Sequence, residues 1–376
     1  MNPYKHLGIY SDFVDAAKAQ QPLFPEIQPG FDTRQRIREN LGFTHSAETP
    51  LAVQVNRTWK GGGVLGEEIS WWVGYGPRTH AWLLRPEGID KPLPGILALH
   101  DHGGFKYYGK EKIADGPEEP NEVIRAFRDP GYGGRAYANV LAKEGFVVLV
   151  HDTFLWGSRK FPLETMLEAI GNPFAVTPSS RPSTLEEEIA FYNSIAGHHE
   201  HLVSKYCNLL GTSMAGVVCH EDRIAMNYLR SRREVIPEKT GCIGLSGGGN
   251  RAALLQATYE EIGACVIVGL MSTYEGCLDH NIACHTWMLF PFQLSRIMDW
   301  SDLAASHAPK PLLVQYDLDD ELFTVEGMRS ADERIARHYK NVGHPEAYCG
   351  QFYPGPHKFD LEMQSAAFEW LKYQLR

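Results

Sequence analysis

Gly244-Leu245-Ser246-Gly247-Gly248 sets a serine between glycines two residues away on either side. A short apolar run, Cys242-Ile243, leads into it, and Arg251 to Glu260 reads as a helix. G-x-S-x-G between a strand and a helix is a turn too tight for side chains on its flanks. Such a turn lifts the serine hydroxyl above the sheet edge with a helix N-terminus beneath it. The amide of Gly247 then points to where an oxyanion would form. The bland alternative is a glycine-rich connector. The strand before and the helix after favour Ser246 as a nucleophile.

A serine hydroxyl needs a base in contact and a group that orients the base. Downstream lie an acidic loop, Asp317-Leu318-Asp319-Asp320-Glu321, and then His357. Both follow segments read as strands, so both should reach the sheet edge that carries Ser246. His344 precedes the last strand and should lie at the opposite edge. His357 is therefore the expected base, against the alternative of a loop histidine beside the last helix. Asp320 is the expected acid and Asp317 the runner-up, because the residue directly after a strand usually turns the chain. A solvated acidic loop is the competing reading.

A second oxyanion donor should come from the loop after the first central strand. His100-Asp101-His102-Gly103-Gly104 stands there. The donor expected is the backbone amide of His102, and next that of Gly103. His100 is read as a residue that holds the loop by hydrogen bonding. His198-His199-Glu200-His201 looks metal-like but lacks H-E-x-x-H spacing, since Val203 follows it. It reads as a solvated helix face, with no metal expected. His280 and His285, with Trp287 and Phe290, suit either core packing or a pocket wall.

The elements that must position these residues follow from periodicity. Leu51–Thr58, Glu68–Tyr75 and Thr79–Leu84 read as strands, and Gly76-Pro77 as a turn. Gly95–Leu99 and Phe146–Val150 are unbroken apolar runs, as in strands buried on both faces. Ala264–Leu270, Pro311–Tyr316 and Tyr348–Tyr353 complete the strands. Helices are expected at Ser11–Lys18, Asp32–Asn40, Tyr137–Glu144, Thr184–Ala190, His199–Leu210, Met214–Leu229, Val325–Tyr339 and Leu361–Leu375. Ser11 and Asp32 are candidate caps for the first two. The pattern predicts a mostly parallel central sheet with antiparallel N-terminal strands and helices on both faces. Residues 1–50 read as a helical extension and 51–376 as the main domain. Insertions at about 160–212 and 271–306 would roof the site.

The chain has 376 residues, 43% hydrophobic and 22% charged, with a net charge of -10. That balance speaks against nucleic acid and against an anionic membrane surface. No apolar run is long enough for a membrane span, and the first twenty residues hold no apolar leader. Seven cysteines without C-x-x-C spacing suggest reduced, buried thiols in a cytoplasmic protein.

Over roughly residues 75–376 the chain resembles the α/β-hydrolases of the dienelactone hydrolase and acetyl xylan esterase group. The resemblance rests on several segments in order: Leu99 to Lys106, Asp152 with Gly157-Ser158-Arg159, Gly244 to Gly249, Gln315-Tyr316 through Asp320 to Phe323, and His357. Asp101 stands where the group usually has glycine in the oxyanion loop, which would put a charge near that site and Asp101 at the pocket. Asp317 likewise replaces a usual glycine. The resemblance implies an α/β-hydrolase fold and a serine hydrolase that cleaves a small carboxylic ester, acetyl-ester or lactone-like, without a cofactor. Ser246 would attack, His357 and Asp320 would complete the triad, and Gly247 with His102 or Gly103 would hold the oxyanion. His280, His285 and Trp287 would line the pocket. The partner expected is a small-molecule ester, with a homo-oligomer left open. C–C or amide hydrolysis on the same triad is the alternative. A non-catalytic binding protein of the same fold is a third reading, opposed by the intact Ser, Asp and His.

Overall fold

The computed structural model describes residues 4–43, 46–171 and 182–376. Parts of the expected N-terminal extension (1–3, 44–45) and of the first insertion (172–181) lie outside the described residues.

The strands are β1 Leu51–Gly61, β2 Val64–Trp72, β3 Thr79–Pro86, β4 Leu93–Leu99, β5 Val147–His151, β6 Val235–Leu245, β7 Ala264–Val268, β8 Leu312–Asp317 and β9 Tyr348–Tyr353. They form one sheet in the order β1-β2-β3-β5-β4-β6-β7-β8-β9. β1, β2, β3 and β5 pair antiparallel; β5, β4, β6, β7, β8 and β9 pair parallel. The expected mixed sheet is thus observed. All six parallel strands point their C-terminal ends to one edge, where the chemistry-bearing loops emerge.

The described α-helices, in chain order, are α1 Phe13–Gln20, α2 Phe31–Leu41, α3 Glu122–Tyr132, α4 Tyr137–Lys143, α5 Leu163–Ile170, α6 Leu185–Leu209, α7 Met214–Arg230, α8 Gly247–Thr258, α9 Tyr274–Cys277, α10 Trp300–Ala305, α11 Val325–Asn341 and α12 Leu361–Gln374. Alternation along β4 divides the core between the two faces of the sheet. Leu97 and Leu99 join the apolar cluster that α2, α7, α8 and α11 cover. Ile96 and Ala98 join the cluster covered by α4 and α12. These β4 side chains are fully buried, and burying a leucine or isoleucine contributes about 1.5–3 kcal/mol.

Several boundaries differ from expectation for local reasons. The helix after Ser246 begins at Gly247, not Arg251, because the glycines already take helical dihedrals. The two pieces expected at 184–190 and 199–210 are one helix, α6; Gly197 and Ser194 do not interrupt it, since Ile195, His199 and Val203 bury its inner face. α3 was not foreseen because Pro130 and Gly131 stand in its last turn. Neither Ser11 nor Asp32 caps: α1 starts after Asp12 and α2 after Gly30, with no capping side chain. The Ser11 hydroxyl instead accepts the Tyr4 amide at 3.1 Å.

Candidate active site

The elbow is built by what its glycines exclude. A Cβ on Gly248 would collide with the Leu99 carbonyl of β4, and one on Gly244 with the backbone of Gly248. A Cβ on Gly247 would stand 2.5 Å from the His102 amide nitrogen. β6, the helix α8 and the loop after β4 meet here at backbone distance. Ser246 sits at the apex with φ 57 and ψ -125, a backbone state that costs a non-glycine residue about 1–3 kcal/mol. Its amide donates to the Val268 carbonyl at 2.9 Å and its carbonyl accepts the Asn250 amide at 2.9 Å. The strain is therefore held from both sides.

His357 follows β9, as expected, and its Nδ1 lies 2.6 Å from Asp320 Oδ2. The other Asp320 oxygen accepts the Leu322 amide at 2.9 Å. Asp320 is buried, and the His357 Nε2 is buried with no hydrogen-bond partner among the described residues. The ring packs over Gly269, whose added Cβ would stand 3.0 Å from His357 Cε1. Gly269 follows the residue that binds the Ser246 amide, so the end of β7 lies against both His357 and Ser246. Burial lowers the His357 pKa, but the hydrogen bond to Asp320 and the charges of Asp320, Asp317 and Asp101 raise it, leaving it above its ordinary value.

Asp317 is the last residue of β8, and its carbonyl accepts the Asp320 amide at 3.2 Å in the turn that follows. Its Oδ2 accepts the Lys358 amide at 3.1 Å, and its Oδ1 is buried without a partner. Burial, helped by the charge of Asp320, pushes its carboxyl up to about 7. Asp317, Asp320 and His357 each place one donor atom within 4.8 Å of the others. Only Asp320 spends its oxygen on the imidazole. His344 lies at the start of β9, exposed beside Glu346, at the far edge of the sheet.

The loop after β4 is drawn inward by its carbonyls. Arg251 on α8 donates to the His100 carbonyl at 3.1 Å. The buried Lys112 ammonium donates to the Asp101 carbonyl, and at 3.3 Å to those of His102 and Phe105. Trp156 Nε1 reaches the His102 carbonyl at 3.4 Å. His100 Nδ1 bonds the Asp101 carbonyl at 3.0 Å, the holding role expected of it. Pulling the carbonyls back leaves the His102 amide facing the elbow at Gly247. Gly103, the second donor expected, is exposed, with φ 56.

Asp101 is corrected: it is not a pocket residue. Its carboxylate is buried, accepting from Tyr132 Oη at 2.5 Å and Lys112 Nζ at 3.3 Å. The charge that replaces the usual glycine is thus neutralised inside the loop. Arg251 is itself anchored by Asp222, at 2.6 and 3.1 Å, and Asp222 also holds His151 Nε2 at 2.9 Å. No spacing in the sequence announces this buried group, since its members come from β5, α7 and α8.

The His198–His201 run also departs from expectation. His198 and His201 are exposed, but His199 and Glu200 are buried. Glu200 Oε2 receives His102 Nε2 at 2.7 Å and the Lys106 ammonium. Its Oε1 faces Thr286 Oγ1 and the Trp287 amide, both at 3.4 Å. The second insertion continues across the site. His285 stacks on Phe323 with ring centroids 4.7 Å apart. His280 Nε2 lies 3.0 Å from the Glu321 carbonyl. Trp287 Nε1 donates to His201 Nδ1 at 2.9 Å. Residues 280–287 therefore run from the acid loop to α6.

Nine strands in this order among the described residues, with helices on both faces and a strand–turn–helix at Ser246 after β6, make up an α/β-hydrolase fold. No protein-family model matches the chain. It is 22% identical to a protein of Bacillus subtilis (strain 168) named "Putative hydrolase YtaP", over 72% of this chain and 75% of that one. Among solved structures, a glucuronoyl esterase from Solibacter usitatus superposes with a TM-score of 0.61 at 15% identity, covering 91% of this chain and 92% of its own. Acetyl xylan esterase 1 from Thermoanaerobacterium sp. JW/SL YS485 gives 0.56 at 13% identity, with coverages of 94% and 97%. Among the described residues no helix is long and apolar enough to cross a membrane, and all seven cysteines are free thiols.

Proposed function

We propose that the chain is a serine hydrolase that cleaves a small carboxylic ester. The observation that carries this reading is the 2.6 Å bond from His357 Nδ1 to Asp320, which leaves Nε2 unpaired while the ring packs over Gly269, next to the carbonyl that accepts the amide of the strained Ser246. Bound to Asp320 through Nδ1–H, the imidazole keeps Nε2 as its basic nitrogen. Nε2 takes the Ser246 proton as Oγ attacks the ester carbonyl. The oxyanion is received by the amides of Gly247 and His102. Nε2–H then protonates the leaving alcohol, and water repeats the sequence on the acyl-enzyme. No step calls for a cofactor or a metal.

The fold neighbours named as acetyl xylan and glucuronoyl esterases support an ester as the bond cleaved. Hydrolysis should be measured on a panel of acetyl esters, lactones, anilides and β-diketones, with Ser246→Ala as the control. Ser246-dependent turnover of esters or lactones is expected. Turnover confined to anilides or β-diketones would replace the ester reading with amide or C–C cleavage.

A further inference from the structure

We infer that Glu200 is a positioning residue of the oxyanion hole, acting through the His102 side chain. The inference rests on the reading of Ser246 as nucleophile and of the His102 amide as oxyanion donor.

The geometry fixes the state of His102 from both ring nitrogens. Nδ1 faces the Gly104 backbone amide at 3.0 Å, an N–H that can only donate. Nδ1 is therefore the acceptor, and the ring proton sits on Nε2. Nε2–H then donates to Glu200 Oε2 at 2.7 Å. Burial holds the His102 ring below its ordinary pKa against the opposing pull of Glu200, consistent with a neutral ring that donates. One imidazole thus clamps its own loop at Gly104 and ties it to α6.

Glu200 is held in turn. Its side chain is 6% exposed and pairs with the Lys106 ammonium, which is 3% exposed. Lys106 belongs to the same loop as His102, so Glu200 grips that loop at two points four residues apart. Burial raises the Glu200 pKa, but His102 and Lys106 outweigh it and keep the carboxylate ionised. The loop's carbonyls are already held by Lys112 and Arg251. Glu200 holds the His102 ring while Lys112 holds the His102 carbonyl, so the His102 amide is set between two anchors. A hydrogen-bond donor to an oxyanion works only where its N–H meets the developing charge. Misplacing a group by about 1 Å can cost about 10²-fold in rate.

The test is steady-state hydrolysis of p-nitrophenyl acetate by the full chain, in wild type, Glu200→Ala, Glu200→Gln, His102→Ala and the Glu200→Ala/His102→Ala pair. Glu200→Ala should lower kcat by about 10- to 100-fold with KM within about 2-fold, because the donor matters most in the transition state. Glu200→Gln keeps an oxygen acceptor for Nε2–H and should recover most of kcat. In the His102→Ala background, Glu200→Ala should cost little more, since two residues acting through one contact are not additive. Removing Glu200 leaves the Lys106 charge buried and unpaired, which is destabilising. If Glu200→Ala does not fold, Lys106→Met/Glu200→Ala removes the charge pair together and replaces it throughout. Unchanged kcat in the Glu200 variants, or a full loss that persists in the His102→Ala background, overturns the inference. If Ser246→Ala hydrolyses at the wild-type rate, the nucleophile reading itself falls, which is a separate result.

Discussion

Gly247 and His102 touch at backbone distance: a methyl group on Gly247 would stand 2.5 Å from the His102 amide nitrogen. Two amides from segments 145 residues apart in the chain are thereby brought to one point beside Ser246. Gly247→Ala should push the loop away from the elbow. Activity on esters should fall by about 10²-fold, the scale of losing one oxyanion donor. Thermal melting should change little if the loop moves as a unit. Wild-type kcat in Gly247→Ala would mean that the His102 amide is not a donor.

Asp320 and Asp317 make opposite predictions. Asp320→Asn breaks the bond that orients His357 and should cost about 10⁴-fold in kcat. Asp317→Asn replaces a carboxyl that accepts one amide and is already pushed up to about 7, and should keep kcat within about 10-fold. A reversal of the two would move the triad acid to Asp317.

The same pair sets the pH response. As the proposed base His357 must be neutral, so kcat/KM should rise with pH through its pKa. That pKa lies above its ordinary value, with Asp317 among the charges that raise it. The acid limb of the wild type should therefore have its midpoint above about 6.5. Asp317→Asn removes one of those charges and should move the midpoint to lower pH. A midpoint that stays put would show that Asp317 does not ionise in the working enzyme.

Asp317 also carries a stability prediction. Its folded pKa of about 7 stands above the unfolded value of about 3.9. Between the two the folded chain binds a proton that the unfolded chain has lost, so this group's contribution falls as pH rises through that window. Asn cannot ionise. Asp317→Asn should melt higher than wild type at pH 8, with the gain shrinking towards pH 4. Equal melting temperatures at both pH values would contradict the raised pKa.

The second insertion should set substrate choice. His285 is stacked on the acid loop, and the Trp287 amide faces Glu200. His285→Ala or Trp287→Ala should change the ratio of activity on short and bulky esters by about 10- to 200-fold. The competing role is an interface between copies of the chain, for which exposed Trp287 and Phe292 are also suited. Loss of an oligomer in light scattering, with ester preference unchanged, would assign the stretch to that role.

The parts legible in the sequence were those whose chemistry is local. Gly247 and Gly248 are glycine because β4 and its loop leave no room for a Cβ, and Gly244 because the Gly248 backbone leaves none; that constraint is written as spacing. The placement of Asp320 and His357 was legible because each follows a strand on the same edge, and the two meet there at 2.6 Å. Glu200 was not, because its partners lie 94 and 98 residues away and it stands in a run of polar residues that reads as a solvated face. Asp101 misled for the same reason: its neutralising partners, Lys112 and Tyr132, belong to elements that local pattern does not join to it. α6 was divided in two because Asn193, Ser194 and Gly197 are weak helix formers; packing of the buried face overrides that preference.

The central claim is that Ser246 is a nucleophile activated by His357. A fluorophosphonate probe on the folded chain, followed by peptide mapping, tests it most directly. The account predicts one labelled residue, Ser246, with labelling abolished in Ser246→Ala and slowed by orders of magnitude in His357→Ala. Labelling at another serine, or equal labelling in wild type and His357→Ala, would contradict it.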